Sequence, residues 1–193
     1  MPGQRVRQTM AAAAALIILT GCDSPPVEPP PTGTTTTNPT STTLRYGAPP
    51  VALPLDAARF REDACLSLAP DQRDALNLEV NPDSQVKSMC PFTVRGGSAK
   101  IEGYIDFAAS GLARLYRANA SGSYRGWEPF EIDGYPAVRL LPKERGCHVV
   151  VGLSDQTTAD IFLEDEGTRS AEEQCVSAAG IATEVLATVR AAG

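Results

Sequence analysis

The sequence predicts an α+β domain, an antiparallel sheet covered by helices, carried behind an exported N-terminal segment. Three observations lead there. Short runs with two-residue alternation, separated by Gly-rich and Asp-Gly turns, fill the stretch from about residue 86 to 165. A long pattern of helical period closes the chain behind the capping box Ser170-x-x-Glu173. Four cysteines accompany them: Cys90, Cys147 and Cys175 fall inside these elements, and Cys65 lies in the segment just before. An even number of them in an exported chain reads as a disulfide framework.

Taken in order, "LDAARFREDACLSLAPDQRDAL" reads as a short helical turn and then a second helix opened by Pro70 at its first position. A break at "VNPDSQ" follows. "VKSMCPFTV" reads as a strand in which Pro91 asks for an edge or a bulge. Gly96 to Ser98 gives a hairpin turn, and "AKIEGYIDFAA" alternates Ile101, Gly103, Ile105 and Phe107 against Lys100, Glu102, Tyr104 and Asp106, a half-buried strand. "GLARLYRANA" predicts a helix with Leu112, Leu115 and Tyr116 on one face. "GWEPFEI" and "YPAVRLL" flank the turn "DG" as a hairpin, and "GCHVVVGLS" with "TADIFLE" makes another. In the last helix Cys175, Ala178, Ala179, Ala182, Val185, Leu186 and Val189 share an apolar face, with Glu172, Glu184 and Arg190 opposite. That face is expected to lie on the sheet, as layer packing requires.

The first 21 residues read as a signal peptide. Arg5 and Arg7 precede an apolar run, Met10 to Leu19, with no acid before Asp23. The run is about half of what a spanning helix needs. It ends in Leu19-Thr20-Gly21-Cys22, which resembles the bacterial lipobox. That resemblance implies cleavage before Cys22 and attachment of a diacylglyceryl group to its thiol, with palmitate-type acyl chains holding the protein on the cell membrane. Residues 22–54 follow as a stalk of Pro, Thr, Ser and Gly, "PPVEPPPTGTTTTNPTSTT" at its centre. Such composition buries too little surface to offset its ordering entropy, so a disordered linker is expected. About 30 residues of it span roughly 90–100 Å when extended. The globular domain is expected over residues 55–193.

Composition narrows the function classes. The net charge is −6 and falls to about −8 once Arg5 and Arg7 are removed with the signal. That argues against nucleic acid as a partner. Four cysteines allow three connectivities. The expected one is Cys65–Cys90 with Cys147–Cys175, two sequence-local loops, each stabilising by on the order of 3 kcal/mol. Zinc is the competing reading, but C-x-x-C pairs are missing and the chain has one His. No metal and no cofactor is expected.

"DACLSLAP" after the stalk, "MCPF" on the first strand, "EIDGYPAVRL", "GCHVVVGLSD" and "EEQCVSAAGIATEVLATV" together resemble the actinobacterial, mycobacterial-type lipoprotein family of domain of unknown function 3558. The resemblance covers about residues 60–190. It implies a cell-envelope lipoprotein, brings no catalytic residues, and implies a fold similar to the Mog1/PsbP-like sandwich.

Few residue patterns in the chain carry catalytic chemistry. Ser84-Gln85-Val86-Lys87 fits S-x-x-K, but that serine must open a helix, and the chain has no K-T-G or S-D-N partner. Cys147 and His148 are adjacent on a strand and so point to opposite faces. Glu164, Asp165 and Glu166 read as a solvated loop rather than a calcium site. Asp106 and Glu102 share a strand face and could pair as acid and base, but read more simply as its wet side. Trp127, Phe130 and Tyr135 flank the "DG" turn and are the candidate ligand groove, with core packing as the plainer role. No catalytic residue is assigned. The reading is a non-catalytic ligand- or partner-binding module of the cell envelope. It would be membrane-anchored at Cys22 and serve an envelope protein or a small apolar ligand. An envelope hydrolase acting on lipid or cell-wall glycan is the alternative.

Overall fold

The computed structural model describes residues 43–95, 101–167 and 169–193. Among the described residues seven strands appear in chain order: β1 (Leu78–Val80), β2 (Met89–Val94), β3 (Ile101–Ala108), β4 (Gly126–Ile132), β5 (Tyr135–Leu141), β6 (Cys147–Ser154) and β7 (Thr157–Asp165). They form one sheet in the order β1-β2-β3-β7-β6-β5-β4, with every neighbouring pair antiparallel. Four α-helices accompany it among the described residues: α1 (Ala58–Glu62), α2 (Pro70–Ala75), α3 (Ala113–Ala120) and α4 (Ala171–Ala191). This is the expected α+β architecture. Cys22 and the Gly96–Ser98 turn lie outside the described residues.

Two-residue alternation assigns the faces. On the first face Ile105, Phe107, Val149, Val151, Ile161 and Leu163 are buried, and α4 lies over them with Ala178, Ala182, Val185 and Val189 at or below 1% exposure. Ser170 Oγ accepts the Glu173 N–H at 3.2 Å and Glu173 Oε2 accepts the Ser170 N–H at 2.7 Å, so the capping box closes as read. Two disulfides, Cys65–Cys90 and Cys147–Cys175, staple a 3-10 turn (Ala64–Ser67) to β2 and α4 to β6.

Several local outcomes differ from the sequence reading. β1 pairs outside β2, so Pro91 is not on an outer strand. Its carbonyl accepts from Asn81 N–H, one residue past the end of β1. Within a strand residue, N and O point to the same side, so Pro91 turns its missing donor toward the place where β1 has stopped. Glu164 and Asp165 belong to β7 rather than to a loop, and Asp165 is buried on the first face, where it accepts the Gly167 N–H at 2.7 Å. The ordered domain also starts before residue 55. Ala48 and Val51 are buried, Val51 N–H donates to Asp155 Oδ1 at 2.9 Å, and Leu55 N–H donates to Leu153 O at 2.8 Å. Apolar residues spaced irregularly among prolines show no period, so this strap is silent in the sequence.

The second face is covered over part of its width. α3 packs with the strap over Val138, Leu140 and Val150. Asp133 and Gly134 both have positive φ, 49° and 81°, as the two-residue turn joining β4 to β5 requires. Gly111, just before α3, fits so closely against the β6–β7 turn that a Cβ there would stand 1.9 Å from Asp155 O. Thr158 Oγ1 donates to Ser110 O at 3.2 Å and fixes the same joint.

Candidate functional site: a charged cleft between α3 and the sheet

Registers across the second face bring together residues that are far apart in sequence. Tyr104 on β3 is opposite Phe162 on β7, which is opposite His148 on β6. The same row runs on to Leu140 and Trp127. Tyr104 and Phe162 stack with centroids 5.1 Å apart, and His148 leans on Phe162 at 4.6 Å. Carboxylates flank the Tyr104–Phe162 pair on both sides along the strands: Glu102 is opposite Glu164, and Asp106 is opposite Asp160.

The Asp106–Asp160 row runs into a cleft of about 320 Å³ at the seam with α3. Arg114 and Leu115 of α3, Tyr124, Val150 and Thr158 line it with the two aspartates. Among the described residues each aspartate has one side-chain partner. Ser88 Oγ donates to Asp106 Oδ1 at 2.9 Å. His148 Nδ1 is 2.9 Å from Asp160 Oδ1. An ionised Asp160 would accept there from an Nδ1–H.

Electrostatics follow from this crowding. Burial raises the Asp106 carboxyl above its ordinary value and Asp160 adds to the rise, against the hydrogen bonds from Ser88 and the Phe107 N–H. The Tyr104 phenol is pushed up to about 12, first by burial and then by Asp160 and Asp106. The Tyr124 phenol is raised by burial and by Asp160, with Arg114 opposing. Two anions held face to face disfavour each other's charge, and a site arranged this way is complementary to a positive group.

The candidate groove of Trp127, Phe130 and Tyr135 does not form. Residues 127 and 130 have opposite parity on β4, which sends them to opposite faces of the sheet. Trp127 fills the space under α3, 5.0 Å from Tyr116 and 5.7 Å from Tyr124. Tyr135 is buried on the α4 side with Arg190 over its ring. Phe130 borders a shallow groove of about 210 Å³ with Val176 and Ala179 of α4. Asp106 is at the observed cleft, but the carboxylate opposite it is Asp160, not Glu102, which pairs in register with Glu164. Asp160 was invisible as a site residue because only the β3–β7 register places it there. His148, on the face opposite Cys147 as strand parity requires, contacts it. Ser84 lies in no helix, and its Oγ accepts the Val86 N–H in a local turn, so the S-x-x-K geometry is absent.

Fold and cleft together define a disulfide-stapled, antiparallel α+β module with one partly open sheet face. The chain belongs to the family described as "Protein of unknown function (DUF3558)", whose model matches residues 17–188. No curated protein and no solved structure matches it.

Proposed function

We propose that this protein is a lipid-anchored, extracytoplasmic binding module of an actinobacterial-type cell envelope, and that it acts without catalysis. The observation that carries the binding reading is the Asp106–Asp160 pair, held in register across β3 and β7 at the wall of a 320 Å³ cleft. Like charges directly opposite on neighbouring strands lower stability, and a ligand that neutralises them accounts for their placement. Two aspartates and an arginine line the cleft with short apolar residues between them, so the proposed ligand is a small polar molecule, in place of the envelope protein or small apolar ligand of the sequence reading. Leu19-Thr20-Gly21-Cys22 supports anchoring at Cys22, and the two disulfides fit an oxidising compartment. Among the described residues no helix is long and apolar enough to cross a membrane.

The test is native mass spectrometry of the chain exported by its own host. A retained small molecule that is lost in Asp160→Ala supports the reading, and a bare mass with unchanged behaviour of the variant removes it. A hydrolase remains the second reading because of the His148–Asp160 bond beside Asp106. It predicts that Asp106→Asn abolishes turnover of an envelope substrate while leaving its binding intact.

A further inference from the structure

The cleft carries charge of both signs on facing walls, and this goes beyond a general binding role. Asp106 and Asp160 stand on the sheet side, from β3 and β7, and Arg114 stands on the α3 side. Among the described residues each aspartate has one side-chain partner, Ser88 for Asp106 and His148 for Asp160. A carboxylate offers about four lone-pair sites, so both keep acceptor capacity. The Arg114 guanidinium forms no ion pair among the described residues, although two carboxylates line the same cleft. A planar fork of donors left open is suited to a carboxylate held through two parallel hydrogen bonds. Between the charged walls the lining is short and apolar: Ala108, Ala118, Leu115 and Val150.

We infer that this cleft recognises a small zwitterion of the α-amino-acid type, its ammonium between Asp106 and Asp160 and its carboxylate on Arg114. An ammonium has three donors and one positive charge, which match two opposed carboxylates and relieve their repulsion. A purely anionic ligand meets the aspartates, and a purely cationic one leaves Arg114 without an anion. The volume, about 320 Å³, is at the small end of ligand pockets and fits a monomer rather than a chain. This assignment rests on the reading of the cleft as the binding site.

The experiment is calorimetric titration of the full exported chain, disulfides intact, with the L- and D-forms of the protein amino acids. The best binder's amide, which lacks the carboxylate, and its N-acetyl derivative, which lacks the ammonium, follow. Saturable binding that weakens at least about tenfold in each derivative is expected, since each removes a charge-assisted contact. Arg114→Gln is expected to weaken the acid but not the amide, and Asp106→Asn to weaken both. Arg114 is exposed on α3, so its replacement leaves the fold in place. No binding up to about 10 mM, or binding indifferent to Arg114→Gln, overturns the zwitterion assignment. If that happens while another retained molecule is still lost in Asp160→Ala, the binding-module reading stands without it. If no ligand responds to either aspartate, both fall.

Discussion

Asp106 on β3 is directly opposite Asp160 on β7, and the two reach the same cleft from neighbouring strands. Their proximity has a stability consequence that can be measured. The folded Asp106 has a raised pKa, so the fold favours its protonated form. Stability from this group is present in full below the unfolded value near 3.8 and is lost as pH rises through the folded value. Asp106→Asn keeps an oxygen for Ser88 and removes the charge. It is expected to raise the melting temperature at pH 7 and to change little near pH 3. Differential scanning calorimetry at the two pH values checks this, and a lower melting temperature at pH 7 contradicts the electrostatic account.

Tyr104 gives an alkaline counterpart. Its phenol is raised to about 12 from 10, so the fold holds it neutral. The associated stability is intact below pH 10 and declines as pH rises toward 12. Ultraviolet titration of the phenolate band should show a late component near pH 12 that disappears in Tyr104→Phe. A variant that keeps the late component and loses amplitude near pH 10 would place Tyr104 in solvent instead.

Gly111 sets where α3 meets the sheet. A Cβ there would meet the Asp155 carbonyl at 1.9 Å, a backbone atom with no rotamer to give way. Gly111→Ala is expected to destabilise by on the order of 1–3 kcal/mol, as overpacking does, and to weaken any ligand of the cleft by displacing Arg114 and Leu115. Denaturant unfolding measures the first effect. A variant as stable as the parent would show that the joint is looser than its geometry.

The Cys147–Cys175 bridge ties α4 to a central strand over a sequence separation of 28 residues. Removing it by a Cys147→Ala, Cys175→Ala pair should cost about 2–5 kcal/mol. Non-reducing peptide mapping should recover Cys65 with Cys90 and Cys147 with Cys175. Recovery of any other pairing refutes the framework.

Cys22→Ala tests the proposed anchor. The variant is expected to lose metabolic labelling by an alkynyl fatty acid and to leave the membrane fraction. Labelling that persists in the variant rules out acylation at that position.

Local pattern alone determined the elements whose signals lie within one short window. The capping box and apolar stripe of residues 170–189, the Asp133-Gly134 hairpin and the alternation of residues 101–107 were legible because each is set by the intrinsic period of helix or strand. The cysteine pairing expected from sequence-local closure is the one observed, although the count of four left three connectivities open. Parity along "GWEPFEI" already contained the evidence that Trp127 and Phe130 could not share a groove.

Only the tertiary structure decided the site. Asp160 meets Asp106, and His148 meets Asp160, because β7 inserts between β3 and β6 in a register no local period encodes. Arg114 reaches the same cleft because Gly111 lets α3 settle against the β6–β7 turn. A strand's period says which face a side chain takes, but its neighbours on that face come from long-range pairing. That pairing is fixed by the burial of the whole first face under α4, where a slip of one residue would turn every core side chain outward.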